Sequence, residues 1–319
     1  MTGLPYLDAA TLERLVPYGR AVQILEDALR DGLDPEATPP RTVAGVPAGQ
    51  LLLMPAATRR YAGVKAVSVA PGNPGRGLPR IQGTYLLFDG DTLAPLAAMD
   101  GIALTSLRTP AVSALAVRHL ADPEARRLVV FGSGPQAWGH VLAFREVRPV
   151  GEVTVVGRDR ARAEALAARC RTLGLTAEAL TAGEPSVAAA VTAADLVACC
   201  TTARQPLFPG KLARDGVTVV AVGSHEPGAR ELDGDLVARA TVVVEARAAA
   251  LEEAGDVIIP IRHGTIPTGH LAGNLAELIA GGVITGAGPR VFKSTGMAWE
   301  DLVVAAAAYE AWISPGESA

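Results

Sequence analysis

Apolar and polar positions follow three successive rhythms along the 319 residues. Residues 8–32 read as helical, with Pro17 placed to open the segment YGRAVQILEDALRDG and Gly32 to stop it. From 41 to 100 the pattern changes to short strand-like runs: RTVAGV, QLLLMPA, YAGVKAVSVA, IQGTYLLFD and LAPLAAMD. Short turns such as DGDT (89–92) predict antiparallel pairing of consecutive strands. The proline- and glycine-rich PGNPGRGLPR (71–80) is a long connection of the sort that often frames a site. TSLRTPAVSALAVRHLA (105–121) predicts a helix whose first turn holds Pro110. Strands and helices then alternate, with strands expected at 127–131, 152–156, 175–180, 195–200, 217–222 and 240–244. After 255 the pattern loosens, and a last helix runs from Met297 to Trp312. The fold class expected is α/β. A Rossmann-type doubly wound sheet spans 113–296, and an α+β substrate and dimerisation domain spans 1–112, with 297–319 packing back on it.

The stretch RLVVFGSGPQAWGHVLAF (127–144) reads as strand, glycine turn and helix. Gly132 permits the tight turn, Gly134 lets backbone approach a pyrophosphate, and Ala137 is small enough for close helix–strand packing. The helix opening at Pro135 and Gln136 offers N–H groups and a positive dipole end to phosphates. The next strand, VTVV, ends in Gly157-Arg158-Asp159, without the acid at its tip that an NAD ribose favours. Arg158 is suited to a 2′-phosphate, Arg162 adds a second cation, and Asp159 is placed to cap the following helix. NADP(H) is therefore the expected cofactor, with NAD(H) the alternative.

Composition narrows the class. Hydrophobic residues make up 49%, as a buried parallel sheet requires, and a net charge of −4 without a basic stripe argues against a nucleic-acid partner. No run of 18 apolar residues suggests a membrane span, and the acids and arginine of the first 14 residues do not fit a signal peptide. Cys170, Cys199 and Cys200 lack metal-ligand spacing and read as buried thiols, which fits a reducing cytoplasm; no metal site is expected.

Four residues outside the nucleotide motif carry candidate chemistry. Arg41 opens the strand region, Lys65 interrupts the apolar GVKAVSVA, Arg108 starts an apolar helix, and His225 sits in the loop GSHEPGARELD. A lysine among valines either projects to water on the outer face of its strand or is buried with a partner. Convergent cations suit a carboxylate, which arginine grips bidentately. His225 either lines a cleft or exchanges a proton, since an ordinary imidazole titrates near ~6.5.

The ordered elements RTV, LLLMPA, GVKAVSVAPGNPGRGLP, LTSLRTPAVSALA, FGSGPQA, VGSHEPGARELD, EAGD and VFKSTGMAWEDL resemble the ornithine cyclodeaminase/mu-crystallin family over nearly the full length. The resemblance implies a homodimer whose N-terminal domain supplies both the interface and the substrate pocket. It further implies that Arg41, Lys65 and Arg108 hold a substrate carboxylate near the nicotinamide. Thr109 would lie by the cofactor phosphates and Ser294 by the nicotinamide. One departure matters: cyclodeaminases carry an acid in a Gly-Gly-Asp context where this chain reads Gly223-Ser224-His225-Glu226. Unless Glu226 substitutes by a shift of the loop, recognition of a distal amine is weakened. The activity expected is an NADPH-dependent reductase of cyclic ketimines or α-imino acids, of the Δ1-pyrroline-2-carboxylate type, with Lys65 or His225 as proton source. Its rivals are ornithine cyclodeamination, an amino-acid dehydrogenase, and a non-catalytic binder of a small carboxylated ligand.

Overall fold

The computed structural model describes residues 3–314. The chain divides into two compact units: one comprises the chain up to Thr109 and from Met297 onward, the other Pro110–Gly296.

The first unit begins with β1 (Tyr6–Leu7), α1 (Ala9–Leu15) and α2 (Tyr18–Arg30). The strands β2 (Thr42–Val46), β3 (Gly49–Ala57), β4 (Tyr61–Val69), β5 (Ile81–Asp89) and β6 (Pro95–Asp100) follow. They form a six-stranded sheet in the order β1-β6-β5-β4-β3-β2. Neighbours from β2 to β6 pair antiparallel, as the short turns predict, while the brief β1 joins the edge in parallel with β6. Alternation along β4 turns Gly63, Lys65 and Val67 to the buried face, the side on which Tyr85 and Leu87 of β5 also lie buried.

Helix α3 (Gly101–Leu120) begins four residues earlier than its pattern predicts, so Pro110 lies mid-helix and not in the first turn. Asp100 extends the start by accepting the N–H groups of Ile102 and Ala103. The proline leaves the carbonyl of Ser106 without its usual helical donor, and the Tyr18 hydroxyl donates to that oxygen at 3.4 Å.

The second unit holds an all-parallel eight-stranded sheet. Its elements are β7 (Arg127–Phe131), α4 (Pro135–Arg145), β8 (Glu152–Gly157), α5 (Arg160–Thr172), β9 (Thr176–Thr181) and α6 (Pro185–Ala193). Then come β10 (Leu196–Cys199), β11 (Thr218–Ala221), α7 (Gly234–Arg239), β12 (Thr241–Val244), α8 (Arg247–Glu253) and α9 (Gly255–Arg262). The unit ends with β13 (Leu271–Asn274), α10 (Leu275–Ile279) and β14 (Arg290–Lys293). The strand order is β13-β12-β14-β11-β10-β7-β8-β9. The central strands are buried on both faces, which explains their unbroken Val, Leu and Ala runs. The two last strands lie in the region where the sequence pattern loosens. Helix α11 (Ala298–Ile313) belongs to the first unit and packs on α2, β3 and β4.

Candidate active site

The candidate nucleotide site grows from the β7–α4 turn. Gly132 has φ +114, and a Cβ there would lie 2.5 Å from the carbonyl oxygen of Cys200, so only glycine fits. A Cβ on Gly134 would meet nothing within 4 Å, which leaves open space above the turn for a ligand to approach. Gly134 caps α4, the exposed Pro135 takes its first position, Gln136 follows half-buried, and Ala137 is buried against the sheet. A cavity of about 620 Å³ opens beside this turn, lined by Gly132, Ser133, Gly134, Gly157, Arg158 and Arg162 among others. Arg158 and Arg162 are both exposed, and no carboxylate occupies the tip of β8. Asp159 also lines the cavity but accepts the N–H of Arg162 as the cap of α5. Backbone, helix end and two guanidinium groups thus suit the anionic half of a dinucleotide.

A second candidate site is in the first unit. Lys65 is only 2% exposed, which removes the reading of a solvated strand lysine. Its Nζ donates to Asp301 Oδ2 at 2.7 Å and to Thr105 Oγ1 at 3.1 Å. Arg108, equally buried, donates through Nε to Asp301 Oδ1 at 3.1 Å and through Nη1 to Glu300 Oε2 at 2.7 Å. One carboxylate therefore joins both cations. Burial pulls the Lys65 ammonium down to about 8, against the opposing pull of Asp301. Arg41 is half-buried immediately before β2, whose Thr42 pairs with Leu53; the next residue, Met54, pairs with Lys65. Thr109 follows Arg108 and is buried on α3.

Glu300 and Asp301 were not among the residues that the sequence singled out. Two adjacent acids in the first turn of an otherwise apolar helix are the signal that could have found them. The helix N-terminus favours them electrostatically, but so deep a burial needs cations.

A further buried network holds the loops at the carboxyl ends of the second sheet. Lys293 Nζ donates to the Ser224 carbonyl at 2.6 Å and pairs with Asp256 at 3.0 Å. Asp256 Oδ1 accepts the N–H groups of Glu231 and Leu232. Glu231 accepts from Thr201 N, Thr201 Oγ1 and Gly223 N. Burial raises the Glu231 carboxyl; Lys293 opposes that shift and Asp256 adds to it. Ser294 is buried, its hydroxyl donating to Glu245 Oε1 at 2.6 Å. His225 stands exposed at the tip of the loop, beside Glu226, which pairs with Arg204 at 2.7 Å. Among the described residues, no cluster of His, Cys, Asp and Glu could hold a metal ion, and no helix is long and apolar enough to cross a membrane.

Residues 9–316 match the ornithine cyclodeaminase/mu-crystallin family. The chain belongs to this family. It is 34% identical over 313 residues to the Δ1-pyrroline-2-carboxylate/Δ1-piperideine-2-carboxylate reductase of Azospirillum brasilense, covering 98% of this chain and 97% of that one. The structure of Thermococcus litoralis Δ1-pyrroline-2-carboxylate reductase with NADH and L-proline superposes with a TM-score of 0.90 at 32% identity, covering 98% of both chains. An archaeal alanine dehydrogenase dimer with bound NAD superposes at 0.89 and 29% identity, covering 99% of this chain and 98% of that one. The two superposed structures hold NADH and NAD, and their fold matches the α/β architecture with a Rossmann-type sheet expected here.

Proposed function

We propose that the protein is an NADPH-dependent reductase of cyclic ketimines or α-imino acids carrying a carboxylate. The observation that carries the reading is the union of Lys65 and Arg108 on one buried carboxylate, in a strand row that continues towards Arg41. The four charges of Lys65, Arg108, Glu300 and Asp301 cancel, so these cations act on substrate by directed N–H donation more than by net charge. Arg41, half-buried immediately before β2, is the third cation of the proposed carboxylate set. When bound, the cofactor supplies the hydride for the C=N carbon. The residues of this chain bind the carboxylate, orient the C=N bond and hold a proton at Lys65 Nζ, with His225 as a second candidate donor.

Arg158 and Arg162 at the cavity wall, with glycine at the strand tip, favour the 2′-phosphate of NADPH over the NAD(H) of the superposed relatives. Gly134, Gln136, Thr109 and Ser294 complete the proposed cofactor set. The engagement of Glu226 by Arg204 argues against that carboxylate as a ready acceptor for a distal amine, hence against ornithine cyclodeamination. The alanine dehydrogenase likeness keeps reductive amination of a keto acid as the second reading. A homodimer accords with the dimeric relative and with the exposed apolar side chains Val43, Leu51 and Leu53 on β2 and β3.

The decisive assay follows NADPH absorbance with Δ1-pyrroline-2-carboxylate, with Δ1-piperideine-2-carboxylate, with pyruvate plus ammonia, and with ornithine. Rapid oxidation with the cyclic imines and little with the other two is expected. Ammonia from ornithine without net NADPH loss would replace the reading by the lyase.

A further inference from the structure

Of the 29 basic residues only three are lysine: Lys65, Lys211 and Lys293. Lys211 is exposed, whereas Lys65 and Lys293 are among the largest fully buried side chains of the protein. Where charge alone is wanted, the chain uses arginine. Lysine differs in being a compact point charge that can lose its proton when buried.

Lys65 has three N–H donors. One goes to Asp301 and one to Thr105, whose own hydroxyl proton is committed to the Gly101 carbonyl at 2.7 Å. The third has no acceptor among the described residues. Asp301 cannot swing with the lysine, because its other oxygen is held by Arg108 Nε and Arg108 is held in turn by Glu300.

We propose that Asp301 is the positioning residue for the candidate proton donor: it fixes the Lys65 ammonium and keeps it protonated, with one N–H left for substrate. The proton-transfer part rests on the imine-reductase reading; the effect on the lysine does not.

The groups facing Lys65 are Asp301 and Glu300 from α11, Arg108 and Thr105 from α3, and Tyr85, its cross-strand partner on β5. The Tyr85 hydroxyl is buried without a hydrogen-bond partner among the described residues, and burial, reinforced by Asp301, keeps it neutral. Burial lowers the lysine, Asp301 raises it and Arg108 lowers it further. Loss of the Asp301 charge therefore leaves two downward influences opposed only by Glu300, the smallest of the charges acting on the lysine. Loss of the Arg108 charge does the reverse.

With three lysines, protein labelled with [13Cε]lysine gives a spectrum in which Lys65→Met identifies the Lys65 signal. The wild-type midpoint should lie near 8. Asp301→Asn should move it down by about one pH unit or more. Arg108→Met should move it up. A general loosening of the site would instead send both variants up, towards the ~10.4 of a solvated lysine. An unchanged or raised midpoint in Asp301→Asn overturns the proposal. Should that variant not fold, a midpoint in Arg108→Met that stays or falls overturns it equally.

The pH profile of imine reduction separates the two readings. Reduction needs the protonated lysine, so the alkaline limb should follow the Lys65 midpoint downward in Asp301→Asn. Absence of turnover with every carboxylated imine defeats the reductase reading but leaves the lysine result standing. Turnover with an alkaline limb that ignores the moved midpoint defeats the role of Asp301.

Discussion

The buried carboxylates of the first unit face side-chain cations, whereas those of the second face mainly main-chain N–H groups. Asp301 and Glu300 bind Lys65 and Arg108. Glu231, Glu245 and Asp256 instead accept from the backbone N–H groups of Thr201, Gly223, Glu231, Leu232, Thr295 and Gly296. The difference separates two uses of buried charge. In the first cluster, removing one partner changes the proton affinity and direction of another. In the second, it releases loops at the end of a sheet, and the loss falls on the fold. Buried ion pairs are weak evidence for net stability, but breaking one is costly in either setting.

The largest effect should come from Lys65→Met. Turnover of a carboxylated imine should fall by about 10²–10⁴-fold, the usual worth of a positioned proton donor, while NADPH affinity changes little. Parallel loss of nucleotide binding would erase the distinction between the clusters. Asp256→Ala should behave in the opposite sense. It leaves Lys293 without its counter-charge and two N–H groups without an acceptor, so urea denaturation should show a loss of about 3–5 kcal/mol. A variant as stable as the parent would show that the second cluster does not hold its loops.

A buried titratable group with no counter-charge sharpens the contrast. His140 donates from Nδ1 to the Gln136 carbonyl at 2.8 Å, which leaves Nε2 to accept the Ser113 hydroxyl at 2.9 Å. Burial lowers its pKa to about 4, although the Gln136 carbonyl opposes the shift. An unfolded imidazole titrates near 6.5, so the unfolded chain takes up the proton first as pH falls. The stability of this neutral contact is full above pH ~6.5 and should decline towards pH 4, by about 3 kcal/mol in total. His140→Gln should flatten that slope; a slope unchanged by the substitution would place its source elsewhere.

The smallest effect concerns an exposed charge. Arg158→Ala should weaken NADPH about tenfold, as loss of a charged hydrogen-bond partner worth ~1.5–3 kcal/mol implies, with NADH barely affected. Equal losses for both cofactors, measured by titrating protein fluorescence, would remove Arg158 from cofactor choice.

What the chain discloses by itself depends on distance along it. The β7 strand, the Gly132 turn and the capped α4 lie within one short stretch, and their chemistry is legible there. So are the antiparallel strands from 42 to 100 and the lone lysine of β4. Pro110 misleads because the compensating donor, Tyr18, is 88 residues earlier. The four-residue strands β13 and β14 are too short to show a rhythm between turns. Glu300 and Asp301 escape notice for the same reason in extreme form: their partners stand 192 to 236 residues away. Local pattern reveals an acid at a helix start, and only the fold reveals what neutralises it.

The scarcity of lysine has a practical side. Amine-directed coupling reagents would find Lys211 as the one exposed lysine, besides any free α-amine, because Lys65 and Lys293 are 2% and 1% exposed. Lys211 lies in a short turn (Gly210–Leu212) after β10 and is not among the residues lining the nucleotide cavity. Attachment to an activated surface would thus run largely through a single side chain that does not line the nucleotide cavity.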